Sequence, residues 1–81
     1  MKLKFKKLSE NAVLPCKANR HDAGLDLTAT SVIYDKELNV YVYNTSIKVE
    51  IPLGYFGMLA QRSSVYKTDL MLANNLGIID Y

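Results

Sequence analysis

The sequence contains one cysteine and one histidine, and this scarcity excludes several common kinds of site. Cys16 has no second cysteine with which to form an internal disulfide. Cys16 and His21 alone do not supply the four ligands of a structural zinc site. Because an unpaired thiol is typical of a reducing compartment, we expect a cytoplasmic protein.

Concentrated charge and long apolar runs are also lacking. Ten basic and eight acidic residues give a net charge of +2, and they are spread along the chain instead of forming a basic stripe that could follow a nucleic-acid backbone. No stretch approaches the roughly 18 uninterrupted apolar residues of a membrane span. The N-terminal lysines alternate with apolar residues and precede no apolar signal-peptide core. We therefore expect a soluble chain whose partners include neither a nucleic-acid polymer nor a membrane.

The length of the chain limits its organisation. Eighty-one residues, 49% of them hydrophobic, suffice for one small domain, and we expect residues 1–81 to form it. A domain of this size buries a modest fraction of its surface when it is alone. We therefore expect a partner chain, or further sequence, to cover part of the apolar surface.

Short alternating segments predict an all-β fold. The N-terminal residues alternate between lysine and apolar side chains, Val40–Tyr43 is β-branched and aromatic, and Ile47–Ile51 has the clearest period of two. Gly24–Ala29 also alternates, which predicts a strand with Leu25 and Leu27 on one face. Turn-type residues separate these segments.

The second half of the chain continues this pattern. Pro52–Tyr55 predicts a turn, and Tyr55–Gln61 predicts a strand in which Gly57 marks a bulge. Ser64–Leu72 is interpreted as a loop that leads into a short strand. About seven short strands at this spacing indicate an antiparallel sandwich, barrel or jelly roll.

Arg62 is followed by two hydroxyl residues, Ser63 and Ser64, at the end of a predicted strand. A guanidinium group matches phosphate with two parallel hydrogen bonds, and hydroxyls add donors without further charge. The pattern is short, and by itself it is more often a surface arginine beside two loop serines. Lys67 is interpreted as an ordinary solvated lysine.

Two carboxylates are the other candidates. Asp80 closes an apolar run and could act on a water molecule as a general base, although a turn aspartate after a strand has the same sequence. Asp26 lies on the polar side of its predicted strand. By itself it is as readily a structural carboxylate that hydrogen-bonds a neighbouring loop.

Three segments together resemble the motifs of the trimeric dUTPase family. They are Ala23-Gly24-Leu25-Asp26-Leu27-Thr28-Ala29, Arg62-Ser63-Ser64 and Asn74-Asn75-Leu76-Gly77-Ile78-Ile79-Asp80, and they follow in the order of that family's first three motifs. The resemblance implies the N-terminal portion of an antiparallel, jelly-roll-like β-clip, truncated after the third motif. It also implies a homotrimer with active sites between subunits.

The family resemblance implies a role for each matched residue. The implied activity is hydrolysis of dUTP to dUMP and pyrophosphate with Mg²⁺, where Asp80 activates the water that attacks the α-phosphate. The implied substrate contacts are Arg62, Ser63 and Ser64 for the triphosphate and Asn74, Gly77 and Ile79 for the uracil. Asp26 is the implied magnesium residue, acting through water. Tyr81 follows Asp80 too closely to match the family's deoxyribose-packing tyrosine.

Two alternatives stay open on the sequence alone. The first is dCTP deaminase, which shares the fold and a similar Arg-Ser-Ser motif but needs a downstream glutamate. The second is a non-catalytic fragment that binds a nucleotide or a subunit of a dUTPase-like partner.

Overall fold

The computed structural model describes residues 2–81, which form six short β-strands and one 3₁₀ helix. The strands are β1 (Lys4–Lys7), β2 (Ser31–Asp35), β3 (Val40–Asn44), β4 (Ile47–Glu50), β5 (Gly57–Ala60) and β6 (Leu76–Ile79), and the 3₁₀ helix spans Ser63–Lys67. They form three two-stranded sheets, which pair β1 with β4, β2 with β3 and β5 with β6. Within the described residues, no helix has the length and apolar character needed to cross a membrane.

The chain divides into two compact units, Lys4–Val49 and a second unit that contains Glu50–Tyr81. The first unit contains the antiparallel hairpin β2–β3. Its turn is closed by Asp35, whose Oδ1 accepts hydrogen bonds from the backbone N–H groups of Glu37 (3.0 Å) and Leu38 (3.1 Å). This is the local side-chain chemistry that favours aspartate before a turn.

The second unit contains the antiparallel hairpin β5–β6, whose register pairs Gly57 with Ile79 and Ala60 with Leu76. A tight turn precedes it, in which the N–H of Tyr55 donates to the carbonyl of Pro52 at 3.1 Å. Gly54 has φ of 87° in this turn, a conformation that glycine adopts at little cost. The predicted turn at Pro52–Tyr55 is therefore present.

Three local predictions were wrong. Gly24–Ala29 forms no strand and contributes a single bridge, between Asp26 and Cys16, because no neighbouring strand pairs with its length. Gly57 is a regular partner of Ile79 and not a bulge. The segment predicted as a loop at Ser64–Leu72 begins with a 3₁₀ helix over Ser63–Lys67, since the N–H of Val65 donates to the Arg62 carbonyl at 3.1 Å.

Apolar side chains remain largely uncovered. Within residues 2–81, Ala12 is the one buried hydrophobic residue, at 3% exposure. Both faces of β2–β3 expose large apolar side chains, including Ile33 at 69% and Tyr41 at 54%. The apolar run before Asp80 is likewise exposed, since Ile78 is 59% accessible. The expectation that these strands need further cover agrees with this exposure.

Candidate functional site

The Arg62-Ser63-Ser64 segment lies where β5 changes into the 3₁₀ helix. Arg62 is extended, with φ of −69° and ψ of 152°, and the helix begins at the next residue. Its first turn therefore contains both serines, which are exposed. The helix ends at Lys67, whose Nζ lies 5.9 Å from the centroid of the Tyr66 ring. The segment thus presents a guanidinium group and two hydroxyls at one end of a strand.

Asn74 lies in the turn that leads into β6. The N–H of Asn75 donates to the Leu72 carbonyl at 3.1 Å, and the N–H of Leu76 donates to the Asn74 carbonyl at 2.6 Å. Asn75 has φ of 61°, which is the left-handed conformation that asparagine tolerates better than most residues. This turn brings Asn74 to the same end of the hairpin as Arg62, because Ala60 and Leu76 are paired.

Gln61 connects the two segments. Its Oε1 accepts a hydrogen bond from the backbone N–H of Leu72 at 3.0 Å, across eleven residues. Gln61 directly precedes Arg62, and Leu72 lies two residues before Asn74. A hydrogen bond of the Gln61 side chain therefore connects the Arg62-Ser63-Ser64 segment to the turn that contains Asn74.

Gly77 and Ile79 of β6 each lie opposite a residue of β5. Leu59 is directly opposite Gly77, and Gly57 is directly opposite Ile79. Residues opposite each other, and residues two apart in one strand, share a face of a sheet. Both predicted base-contact positions of β6 therefore lie on one face, and Asp80 follows at the exposed end of the strand.

The ladder separates Asp80 from Arg62. Asp80 lies one residue beyond the Gly57–Ile79 pair, whereas Arg62 lies five residues beyond Gly57 in the opposite direction. Arg62 and Asp80 are thus six residue positions apart along the hairpin. At about 3.4 Å per residue, this corresponds to about 20 Å if both segments continue in the strand direction. A single copy of the hairpin therefore presents the arginine segment and the aspartate at opposite ends.

Asp26 belongs to the other compact unit, Lys4–Val49. It is half-buried, and its backbone N–H donates to the Cys16 carbonyl at 2.8 Å. Among residues 2–81, no group of three or more histidine, cysteine or acidic side chains could hold a metal ion. A single carboxylate fits Mg²⁺, which keeps several waters and takes its remaining ligands from substrate phosphates.

Sequence reasoning overlooked Gln61 and misread Gly57. A glutamine before an arginine has no distinctive signal, because its hydrogen bond to Leu72 depends on how the intervening chain folds. A glycine inside a strand does carry a signal, since it marks either a bulge or a close approach of neighbouring atoms. The structure has the close approach, with Ile79 and Ile51 beside Gly57.

Antiparallel strands, an arginine and two hydroxyls after one strand of a hairpin, and an aspartate after the other define an all-β protein with a candidate anion site. A family model described as dUTPase matches residues 10–81. The chain belongs to the dUTPase family. The all-β, antiparallel prediction is confirmed, and the strands are consistent with a fragment of a jelly-roll-like β-clip.

Several curated relatives are named deoxyuridine 5'-triphosphate nucleotidohydrolase. The chain is 36% identical to the one from Trichodesmium erythraeum, over 99% of this chain and 57% of the relative. It is 34% identical to the one from Escherichia phage T5, over 91% of this chain and 55% of the relative. For Hydrogenobaculum the identity is 35%, over 100% of this chain and 58% of the relative. The chain thus spans less than two thirds of these relatives, and no solved structure matches it significantly.

Proposed function

We propose that this chain takes part in the hydrolysis of dUTP to dUMP and pyrophosphate. The observation that carries the proposal is the family match over residues 10–81, which contain every residue assigned to the site. The β5–β6 hairpin places Arg62, Ser63 and Ser64 after one of its strands and Asp80 after the other, at opposite ends. Family membership and the names of the relatives support the same substrate. In the reaction, a water oxygen bonds to the α-phosphorus, and the bond from that phosphorus to the bridging oxygen breaks to release pyrophosphate.

The proposed roles follow from the chemistry of each group. Arg62 binds phosphate oxygens through its guanidinium group, and the hydroxyls of Ser63 and Ser64 donate further hydrogen bonds. Asp80 accepts the proton of the attacking water as the general base.

Recognition of the base is assigned to the face of β6. Asn74, Gly77 and Ile79 read the uracil edge, chiefly through backbone N–H and carbonyl groups. Fixed donors and acceptors discriminate strongly against cytosine, which carries an amino donor where uracil has a carbonyl. The left-handed Asn75 supports this role, because it fixes the direction in which the chain enters β6.

The complete site is proposed to form between copies of the chain in a homotrimer. One copy presents Arg62 and Asp80 at opposite ends of a hairpin, about 20 Å apart along the strand direction. A triphosphate and its attacking water span a shorter distance. The arginine segment of one subunit therefore serves the Asp80 of another, and the uncovered apolar faces of the strands are available for subunit contacts.

Asp26 is the proposed magnesium residue and acts through a bound water. The ion would neutralise charge on the triphosphate and orient it for attack. A cytoplasmic location belongs to the same proposal, and the free, exposed thiol of Cys16 agrees with a reducing compartment.

The proposal is tested by measuring pyrophosphate release from dUTP, with phosphate detection after added pyrophosphatase. We expect the chain to release pyrophosphate and Asp80→Asn to lose 10²- to 10⁴-fold in kcat, which is the range for removal of a general base. Calorimetry should show that Asp80→Asn still binds dUTP. Asp69→Asn is the matched control, because Asp69 lies in the long connection of the same hairpin and has no assigned role.

Three results would contradict the proposal. If the unmodified chain binds dUTP but turns it over no faster than Asp80→Asn does, the chain is a nucleotide-binding fragment. Ammonia release from dCTP without pyrophosphate release from dUTP would favour dCTP deaminase. If the chain neither binds dUTP nor turns it over, a subunit-binding role is the remaining alternative.

A further inference from the structure

Gly57 and Gly77 lie on one face of the β5–β6 hairpin, each opposite a large side chain. The register pairs Gly57 with Ile79 and Gly77 with Leu59, so the two glycines occupy one diagonal of this face and the two large residues occupy the other. A Cβ atom added to Gly57 would lie 3.2 Å from the Cβ of Ile79. Cβ atoms of directly opposed residues are ordinarily about 4.5–5.5 Å apart. The large side chains therefore occupy the space that the glycines leave.

Gly57 is needed for space and not for an unusual backbone conformation. The chain's one glycine with positive φ, among residues 2–81, is Gly54, and an added Cβ there would meet nothing within 4 Å. Gly57 has the opposite character, because its Cβ would meet Ile79 and also the Cδ1 of Ile51 at 3.3 Å. Side chains from two directions thus converge on the position of the missing Cβ.

The residue held by this packing directly precedes Asp80. Ile79 is the last residue of β6, so its contact over Gly57 fixes the end of the strand from which Asp80 departs. We propose that Gly57 is a positioning residue for Asp80, which it orients through the close packing of Ile79. The inference rests on the proposed function, in which Asp80 is the general base.

The expected size of the effect follows from the distances. A Cβ at 3.2 Å must move its neighbour by a few tenths of an ångström to reach ordinary contact. A misplacement of about 1 Å at a reacting group can cost about 10²-fold in rate. Gly57→Ala should therefore lower kcat about 5- to 10-fold, and Gly57→Val should lower it about 10²-fold.

The KM for dUTP separates positioning from a general loss of structure. Arg62, Ser63 and Ser64, the proposed triphosphate contacts, lie at the other end of the hairpin from Gly57. We therefore expect Gly57→Ala to change KM less than it changes kcat, because the triphosphate contacts keep their positions and only the uracil contact at Ile79 is displaced. Its urea midpoint should change little, because alanine restricts the unfolded chain more than glycine does and so offsets part of the steric cost.

Ile51 provides a rescue. Ile51→Val removes the Cδ1 atom that would meet the new Cβ at 3.3 Å. In the double variant Gly57→Ala/Ile51→Val, we expect kcat to recover at least twofold over Gly57→Ala alone. Met58→Leu is the control, because Met58 neighbours Gly57 but lies on the opposite, exposed face of the strand, at 60% exposure.

The experiment measures kcat, KM and the urea midpoint for these variants together with Asp80→Asn, and it records the ¹³C signal of the Asp80 carboxyl without substrate. The expected result is a shifted carboxyl signal and reduced kcat in Gly57→Ala, partial recovery in the double variant and no change in Met58→Leu. An unchanged carboxyl signal, an unchanged kcat, or a kcat loss without rescue would overturn the positioning role.

The carboxyl signal distinguishes failure of this inference from failure of the proposed function. If the unmodified chain does not turn over dUTP, or if Asp80→Asn retains turnover, the proposed function fails and the carboxyl signal alone decides whether Gly57 orients Asp80. If Asp80→Asn is inactive while Gly57→Ala has full kcat, the proposed function stands and the positioning role is wrong.

Discussion

The hairpins β2–β3 and β5–β6 have the same antiparallel pairing but differ in how their faces are built. On β2–β3 one face consists of large side chains alone, with Val32 opposite Tyr43 and Tyr34 opposite Tyr41. On β5–β6 a glycine stands opposite a large residue in both pairs of one face. The first arrangement provides apolar surface for packing. The second brings the strands' side chains close enough to fix the end of β6.

Their connections differ as well. Residues 36–39 join β2 to β3, and the Asp35 carboxylate closes that turn by local hydrogen bonds. Residues 61–75 join β5 to β6 and contain the 3₁₀ helix, the Arg62 segment and the Asn74 turn. Long connections that carry polar groups between rigid strands are where binding and catalytic residues concentrate. We therefore expect β2–β3 to serve packing and the connection of β5–β6 to carry the proposed binding and catalytic groups.

Replacement of Arg62, in the connection of β5–β6, should give the largest difference in KM for dUTP between the two hairpins. Arg62→Ala removes the proposed guanidinium contact to phosphate, and hydrogen bonds to charged groups contribute about 1.5–3 kcal/mol each. We expect KM for dUTP to rise about 10- to 150-fold, with the urea midpoint nearly unchanged. The matched control is Lys36→Ala, an exposed cation in the connection of β2–β3, which should leave KM unchanged. Equal KM values for the two variants would remove the distinction between the hairpins.

The sequence predicted the elements that depend on neighbouring residues. The Pro52–Tyr55 turn and the strand at Ile47–Glu50 follow from local chemistry and a period of two. Gly24–Ala29 has a similar period but no strand, because alternation specifies faces and does not supply a pairing partner. A sequence pattern alone does not distinguish these two cases.

The candidate site was predictable where motif residues match a known family, and not where contacts cross the hairpin. Asp80 was identified by its family pattern, whereas the contact of Ile79 with Gly57 requires the register of two strands. The Gln61 hydrogen bond to Leu72 likewise depends on the path of the intervening residues. Pairings between distant residues are fixed by the folded chain and not by local preference.

The left-handed asparagines allow a second comparison, because each hairpin has one before its second strand. Asn39 has φ of 54° and Asn75 has φ of 61°. A β-branched residue in this conformation costs about 1–2 kcal/mol. Asn39→Val and Asn75→Val should each lower the free energy of unfolding by about that amount in urea titrations, and only Asn75→Val should also raise KM for dUTP.

Glycine variants at the same positions provide the control for the asparagines. Glycine adopts φ near +60° without strain, so Asn75→Gly should retain most of the stability. Asn39→Gly should lose slightly more, because the Asn39 side chain accepts a hydrogen bond from the Tyr34 hydroxyl. A KM increase in Asn39→Val as large as that in Asn75→Val would contradict the assignment of β2–β3 to packing.

The tyrosine pair of β2–β3 should affect stability alone. The rings of Tyr34 and Tyr41 are directly opposite, with centroids 5.1 Å apart and an interplanar angle of 52°. Such pairs contribute about 0.5–1.5 kcal/mol beyond the burial of their area. A double-mutant cycle with Tyr34→Leu and Tyr41→Leu should measure a coupling of that size in urea titrations, and kcat per folded molecule should stay constant. An additive cycle would show that the rings do not interact.

The smallest expected effect concerns the long connection of β5–β6. Gln61→Met keeps the length of the side chain but removes the oxygen that accepts from the Leu72 N–H at 3.0 Å. An ordinary hydrogen bond contributes about 0.5–1.5 kcal/mol, and this one is exposed, so we expect KM to rise about twofold at constant kcat. Hydrogen exchange of the Leu72 amide should become faster in Gln61→Met and stay slow in Gln61→Glu, which keeps the acceptor. If exchange is equally fast in the original chain, then Gln61 does not tie the Arg62 segment to the Asn74 turn.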